Sequence, residues 1–330
     1  MKYKFILIIG LAVGISCEST KKTEEVRVVQ EENIDVPKFN GDSAYFFVEK
    51  QLSFGYRIPG TNAHFQTGDF LVKSLESRGA EVTEQKFEAE TWDGQKVPLR
   101  NIIGSFFPEK TKRILLAAHW DSRPFADKDP ISPEMPMAGA NDGASGVAVL
   151  LEIARNLALS APENVGIDII FFDGEDWGEA ISTGYIEPAP GYESWWCLGS
   201  QYWSKNKHKP NYSAYYGILL DMVGAKNSKF YVEGLSQRFA PKVVDRIWGM
   251  ANKLGYGSIF INSKQGEITD DHYFVNNIAR IPMVDIVHYD PVYGYFGDYH
   301  HTLKDDIDII DKNILQAVGQ TVQHVIYYEK

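Results

Sequence analysis

Apolar runs of strand length recur along this chain, and each leads into a residue that can bind a metal or carry a proton. RILLAA (113–118) ends at His119, IDIIFF (167–172) ends at Asp173-Gly174-Glu175-Asp176, and GILL (217–220) ends at Asp221. AGANDGASG (138–146) sets Asp142 in a glycine-rich turn, and the segment after MVDIV (283–287) reaches His301 in YHHTLKDD. Val/Ile/Leu-rich runs without polar alternation suit strands buried on both faces of a parallel sheet. Helical patterns fall between them. Thr61 to Gly79 reads as a helix with Phe65, Phe70, Leu71 and Leu75 on its apolar side. Asp142 opens another, with Val147, Leu150, Leu151, Ala154 and Leu157 on one face. Asp311 caps a last helix bearing Leu315, Val318, Val322 and Val325. This interleaving predicts an α/β fold, a central twisted, largely parallel (mixed) sheet flanked by helices on both faces. The early extended runs, near 82–87, 101–106 and 113–118, are candidates for an antiparallel edge.

In open α/β sheets, ligands bind in the crevice outside the carboxyl ends of the strands. His119, Asp142, Asp176, Asp221 and His301 are therefore candidates for one site, with Glu175 beside the third. Two imidazoles, three carboxylates and an adjacent Glu form the donor inventory of a hydrolytic-type zinc centre. Asp121, two residues after His119, is placed to orient that imidazole. Two adjacent acids such as Glu175 and Asp176 do not easily point the same way, so one can bind metal while the other faces substrate. Each element also has a plainer use: Asp142 as a helix N-cap, Glu175-Asp176 as a solvated turn, and either of His300 and His301 as the ligand.

The start of the chain reads as a leader. Lys2 and Lys4 precede an apolar core (5–13), and Gly14-Ile15-Ser16 lead to Cys17. That is a secretory signal of lipoprotein type, with Cys17 as the lipidated residue. The apolar stretch is too short for a bilayer-spanning helix, which needs about 20 residues. A polar tether (18–38) then joins the anchor to one catalytic domain (39–330). The chain is thus expected to be exported, held on the periplasmic face of a membrane or at the cell surface by its lipid alone. Without residues 1–17 the chain has 31 basic and 44 acidic side chains, a formal charge of −13, with no electrostatic reason to bind nucleic acid. Past Cys17 only Cys197 remains, so no internal disulfide can form, and its aromatic surroundings suggest buried packing.

The series HWDSRP, GANDGASGVAVLLE, FFDGED, LGSQYW, LLDMVG, ITDDHYF and HHTLKDD resembles the zinc-dependent aminopeptidase superfamily. Within it, the series is most similar to the glutaminyl-peptide cyclotransferases (glutaminyl cyclases), in particular bacterial ones. The resemblance runs from about residue 40 to the C-terminus. It implies one zinc per chain, held by Asp142, Asp176 and His301, with Glu175 as general acid/base. Asp221 and Asp271 would form a carboxylate network beside it, His119 and Asp121 would support the ligands, and Trp196 would wall the substrate pocket. Tyr293, Tyr295 and Phe296 are further candidates for that wall. The resemblance also implies a non-proline cis peptide after Asp142. Many superfamily members have Glu-Glu where this chain has Glu175-Asp176. The substrates would be peptides or proteins with N-terminal Gln, cyclised to pyroglutamate with loss of ammonia. Two alternatives stand beside this reading: a dinuclear zinc aminopeptidase recruiting His119 and Asp221, and a lipid-anchored peptide-binding module without catalysis. Asp270-Asp271-His272 favours the cyclase, although acids also suit a helix N-terminus.

Overall fold

The computed structural model describes residues 34–330, so the expectations for the leader, for Cys17 and for most of the tether fall outside the described residues. The chain is packed by Phe39, which is fully buried. The Phe39 N–H donates to Gln320 Oε1 at 2.9 Å, and Gln323 donates to the Pro37 carbonyl. Helices α1 (Gly41–Leu52) and α2 (Asn62–Glu76) start at Asn40 and Thr61, whose side chains accept first-turn N–H groups. They are followed by β1 (Glu81–Glu90), β2 (Lys96–Phe106), β3 (Arg113–His119), α3 (Ala144–Leu159) and β4 (Gly166–Phe172). Next come α4 (Leu198–Lys205), β5 (Tyr216–Asp221), β6 (Phe230–Val232), α5 (Gly234–Phe239), α6 (Pro241–Lys253) and β7 (Phe260–Lys264). The last elements are α7 (Asp271–Phe274), running into a π-turn over Val275–Ala279, then β8 (Met283–Val287) and α8 (Lys312–Tyr327).

The main sheet has the order β1-β2-β4-β3-β5-β8. Strands β4, β3, β5 and β8 are parallel, whereas β1/β2 and β2/β4 are antiparallel. The predicted mixed sheet is present, with one correction: the run at 113–119 is an inner parallel strand, not part of the antiparallel edge. Its composition explains this, since Ile114 to His119 are all buried, while β1 alternates toward solvent as an edge strand can. Leu115, Ala117, Ile170, Phe172, Leu219 and Met283 pack one face of the sheet against Trp203 of α4, Tyr212 and the π-turn. Helix α3 covers the other face and packs against α1 and α8. A separate pair, β6 and β7, is parallel and two-stranded. Helix α2 buries Leu71 and Leu75 as predicted and half-buries Phe70, but Phe65 is 46% exposed, and His64, Thr67, Gly68 and Ser74 join the inward face. The cause is His64, which bonds Asp173 at 2.9 Å and stacks on Trp120.

From β3 the chain moves to β4 on one side of the sheet and later to β5 on the other. The C-terminal ends of these three strands therefore surround a switch point, and they deliver His119, the turn after Phe172, and Asp221.

One charge inside β4 has a structural role. Asp168 is buried and takes Arg113 Nε at 2.8 Å and Nη2 at 2.7 Å, Ser105 Oγ at 2.7 Å and Tyr212 Oη at 2.9 Å. Burial alone would raise its pKa, but Arg113, Ser105 and Tyr212 outweigh it and hold the carboxyl below its ordinary value. A depressed folded-state pKa contributes stability above the unfolded value of about 3.9, and that stability is lost as pH falls through the folded value. Asp168→Ala strands the Arg113 charge and should cost about 3–5 kcal/mol in urea unfolding at neutral pH. The variant should also lose less stability than the parent on acidification.

Candidate metal centre

His119, at the tip of β3, directs Nε2 toward two carboxylates, Asp142 Oδ1 at 3.0 Å and Asp221 Oδ1 at 3.2 Å. Asp142 lies in the turn before α3. The N-cap of that helix is Gly143, with no side-chain cap bond, so the Asp142 carboxylate is not used for capping. The described residues contain no cis peptide, which corrects the expectation after Asp142. Gly143 makes the turn at φ 84°, where an added Cβ would lie 2.8 Å from the Asp121 carbonyl and 2.9 Å from His119 Cε1. The second Asp142 oxygen faces His301 Nε2 at 3.8 Å, and that nitrogen is 3.3 Å from Asp176 Oδ1. Asp142 therefore sits between two groups, His119 with Asp221 and His301 with Asp176.

The turns carrying these side chains are held by buried carboxylates. Asp121 accepts the main-chain N–H groups of Glu175 at 3.1 Å and Asp176 at 3.0 Å. It was expected to orient His119. Its Oδ1 lies 3.4 Å from His119 Nδ1 and helps to hold that imidazole charged, so Asp121 both faces His119 and aims the turn after β4. Asp305 does the same for the other turn, accepting from Asn141 N at 2.7 Å and Asp142 N at 3.0 Å. Buried Arg57 ties this turn to β3 through the carbonyls of Trp120, Ala138 and Gly139. His301 Nδ1 lies 3.4 Å from Asp127 Oδ1, and Asp127 is itself paired with Arg123 at 2.8 Å. Arg57, Asp127 and Asp305 carry no strand-end pattern and were missed in the sequence, although Asp305 lies inside the HHTLKDD motif.

Both Asp176 oxygens are buried without a hydrogen-bond partner, and the nearest Arg123 nitrogen is 3.5 Å away. Burial, followed by the charge of Asp142, raises the Asp176 carboxyl. Such a carboxylate, with two unbonded oxygens beside a second carboxylate and an imidazole, is a ready metal ligand, and the donor set of two Asp and one His suits zinc. His119, Asp142 and Asp221 also lie within ligand distance of one another, as do Asp142, His300 and His301. However, the Lys128 ammonium already donates to His300 Nδ1 at 2.6 Å, which leaves His301 as the imidazole facing Asp176. Burial of His119 would lower its pKa, but Asp121, Asp142 and Asp221 around it hold the imidazole well above its ordinary value. Glu175 is raised well above the usual carboxylate range, first by burial and then by Asp270, Asp176 and Asp271, against the lowering pull of His119. Asp221 is pushed up to about 7, chiefly by burial.

These groups open into a cavity of about 600 Å³ lined by Glu175, Asp221, Asp270, Trp196, Tyr295 and Phe296 among others. The Trp196 indole stacks on His301 at 5.6 Å, and the Arg123 guanidinium lies over it at 4.6 Å. Tyr293 is 60% exposed and does not line the cavity. Asp270 and Asp271 both act on Glu175, and the charge of each helps to raise it. Asp270 is the acid in the cavity wall, whereas Asp271 is fully buried behind it. Asp270 caps α7 through the Asp271 N–H at 2.5 Å, which turns the two side chains apart.

The solved structure of Bacteroides thetaiotaomicron glutaminyl cyclase superposes with a TM-score of 0.85 at 50% identity, covering 90% of this chain and all of that one. A Zn-dependent exopeptidase from Parabacteroides distasonis gives 0.85 at 50% identity, over 89% of this chain and all of that one. Aminopeptidase YwaD of Bacillus subtilis is 30% identical over 69% of this chain, which spans 44% of that relative's length. Such neighbours imply zinc. Residues 101–326 match the description Peptidase family M28, and the chain belongs to that family.

Proposed function

We propose that the chain is a zinc-dependent glutaminyl-peptide cyclotransferase, turning N-terminal glutaminyl residues of peptides and proteins into pyroglutamate with release of ammonia. The observation that carries this reading is the site's asymmetry. One carboxylate, Asp176, is buried with both oxygens free of hydrogen bonds and faces His301, and its neighbour Glu175 faces the cavity with its pKa raised. The half-identical neighbour named a glutaminyl cyclase supports it along 90% of the chain. Asp142, Asp176 and His301 would hold one zinc. When bound, the metal would polarise the γ-carboxamide oxygen of the substrate. Trp196 and the aromatic wall enclose the glutaminyl side chain and fold it back toward its own α-amine. As the amine nitrogen bonds to the γ-carbon, Glu175 takes its proton. As the C–N bond of the carboxamide breaks, Glu175 returns that proton to the leaving nitrogen, which departs as ammonia. A carboxylate raised by burial suits both halves of this transfer near neutral pH. Asp270 and Asp271 both help to keep it raised.

One observation favours a second reading. His119 and Asp221 lie within ligand distance of Asp142, so a second cation would give the dinuclear centre of an aminopeptidase. Incubated with a Gln-initiated peptide, the protein should release ammonia and leave the peptide bond intact, with one zinc per chain by metal analysis. Free glutamine and two zincs would identify the peptidase instead. Glu175→Gln should lower turnover by roughly 10²–10⁴-fold with zinc retained, and loss of the metal would show that the roles of Glu175 and Asp176 are exchanged. Asp127→Asn loosens the imidazole of His301 and should weaken zinc affinity about 10–100-fold in a chelator competition.

The basic and apolar leader ending at Cys17 supports export as a lipoprotein to a periplasmic membrane face or the cell surface. Cys17→Ser should move the protein from the membrane fraction to the soluble fraction.

A further inference from the structure

Cys197 is held in an unusual way against the proposed catalytic carboxylate. The residue is fully buried at the start of α4, with φ 58°. That left-handed conformation is unfavourable for a residue with a Cβ, and Gly or Asn would adopt it at less cost. Three contacts tie the position to the turn after β4. The Cys197 N–H donates to the Glu175 carbonyl at 3.0 Å, and the Leu198 N–H donates to the Gly174 carbonyl at 3.0 Å. The third contact runs between side chains, where the thiol donates to Glu175 Oε1 at 3.1 Å. Glu175, Cys197 and Asp270 converge so closely that their polar atoms lie within 4.8 Å of one another.

We infer that Cys197 is a positioning residue for Glu175: its thiol hydrogen fixes the rotamer of the carboxylate so that the other oxygen faces the substrate amine. The inference rests on the reading of Glu175 as the proton carrier. Two observations support it. The backbone contacts need no particular side chain, so they do not account for a cysteine kept at a strained position. The thiol also remains a donor, because burial, followed by the charges of Glu175, Asp271 and Asp270, pushes its pKa well above the ordinary value. A thiol is a weak donor, so it can aim a carboxylate without holding it as tightly as a hydroxyl or an ammonium would. An unheld Glu175 would divide its time between rotamers, and misplacement of about 1 Å at a reacting group can cost up to about a hundredfold in rate.

The test compares Cys197→Ala and Cys197→Ser with the parent and with Glu175→Gln in the ammonia-release assay, with zinc content and thermal midpoint measured for each. Cys197→Ala should lower kcat about tenfold or more while KM and zinc content stay near the parent values. Cys197→Ser restores a donor on the same carbon and should recover kcat to within a few-fold. An unchanged kcat in a folded, zinc-loaded Cys197→Ala protein would overturn the inference. So would a Cys197→Ser protein as slow as the alanine variant, since the cysteine would then act only by filling space. Full activity in Glu175→Gln would instead overturn the function on which the inference rests.

Discussion

Asp121 and Asp305 each spend one buried carboxylate on two main-chain N–H groups, and the geometry of the whole centre depends on those four bonds. Strand ends alone place residues only to within the freedom of the turns that follow them. The turn after β4 leaves the sheet at Asp173 and must still present Glu175 to the cavity and Asp176 to His301. The Asp121 carboxylate grips both of their amides, so neighbouring side chains leave a fixed backbone in two directions. Asp305 grips Asn141 and Asp142, and Asn141 Oδ1 in turn accepts from Gly224 N at 2.7 Å, just beyond β5. Two acids that touch no substrate thus lock three strand ends to one another.

That solution concentrates negative charge. Asp121, Asp142, Asp173, Asp176, Asp271, Asp285 and Asp305 are all buried around this end of the sheet. Much of the charge is offset locally. His64 meets Asp173, Arg57 lies under the Asp142 turn, and Arg123 pairs with Asp127 and approaches Asp176. Burial draws Arg57 down to about 10, which leaves it charged at neutral pH, and raises Asp305 to about 8, which lessens the negative charge that Asp305 brings to this end. Where compensation runs out, the protein leaves unpartnered oxygens, and Asp176 is one of those places. A buried carboxylate in that state demands a proton or a cation.

Much of this was legible in the sequence, for a physical reason. A buried parallel strand must be continuously apolar, so a polar residue at its tip stands out, and His119, Glu175-Asp176 and Asp221 were found that way. Asp142 stood out through the glycines around it. On α2 apolarity marks Leu71 and Leu75 as buried but not the inward turn of His64, which a polar partner, Asp173, holds in place of Phe65. Asp270 lines the cavity beside the Asp271 that the sequence singles out, since adjacent acids at a helix start look alike until capping separates them. Asp127, Asp305 and Arg57 act across long sequence separations from loops with no period, so no local pattern could reveal them.

The same scaffold serves hydrolases and cyclases among the relatives, and His119 shows how little has to differ. An imidazole nitrogen either donates a hydrogen or offers a lone pair. A lone pair on Nε2 would point at two carboxylate oxygens, 3.0 and 3.2 Å away, so this nitrogen needs either a hydrogen or a cation between itself and Asp142 and Asp221. With a hydrogen there, it would hold the place that a second cation needs. Asp142 then has one oxygen engaged by His119 and the other turned toward His301, which suits a single metal on that side. Stripping the hydrogen from Nε2 would turn the same three residues into a second set of ligands. On the proposed reading, the step from two metals to one requires no loss of ligand residues, only that a hydrogen bond be worth more than a coordinate bond at His119.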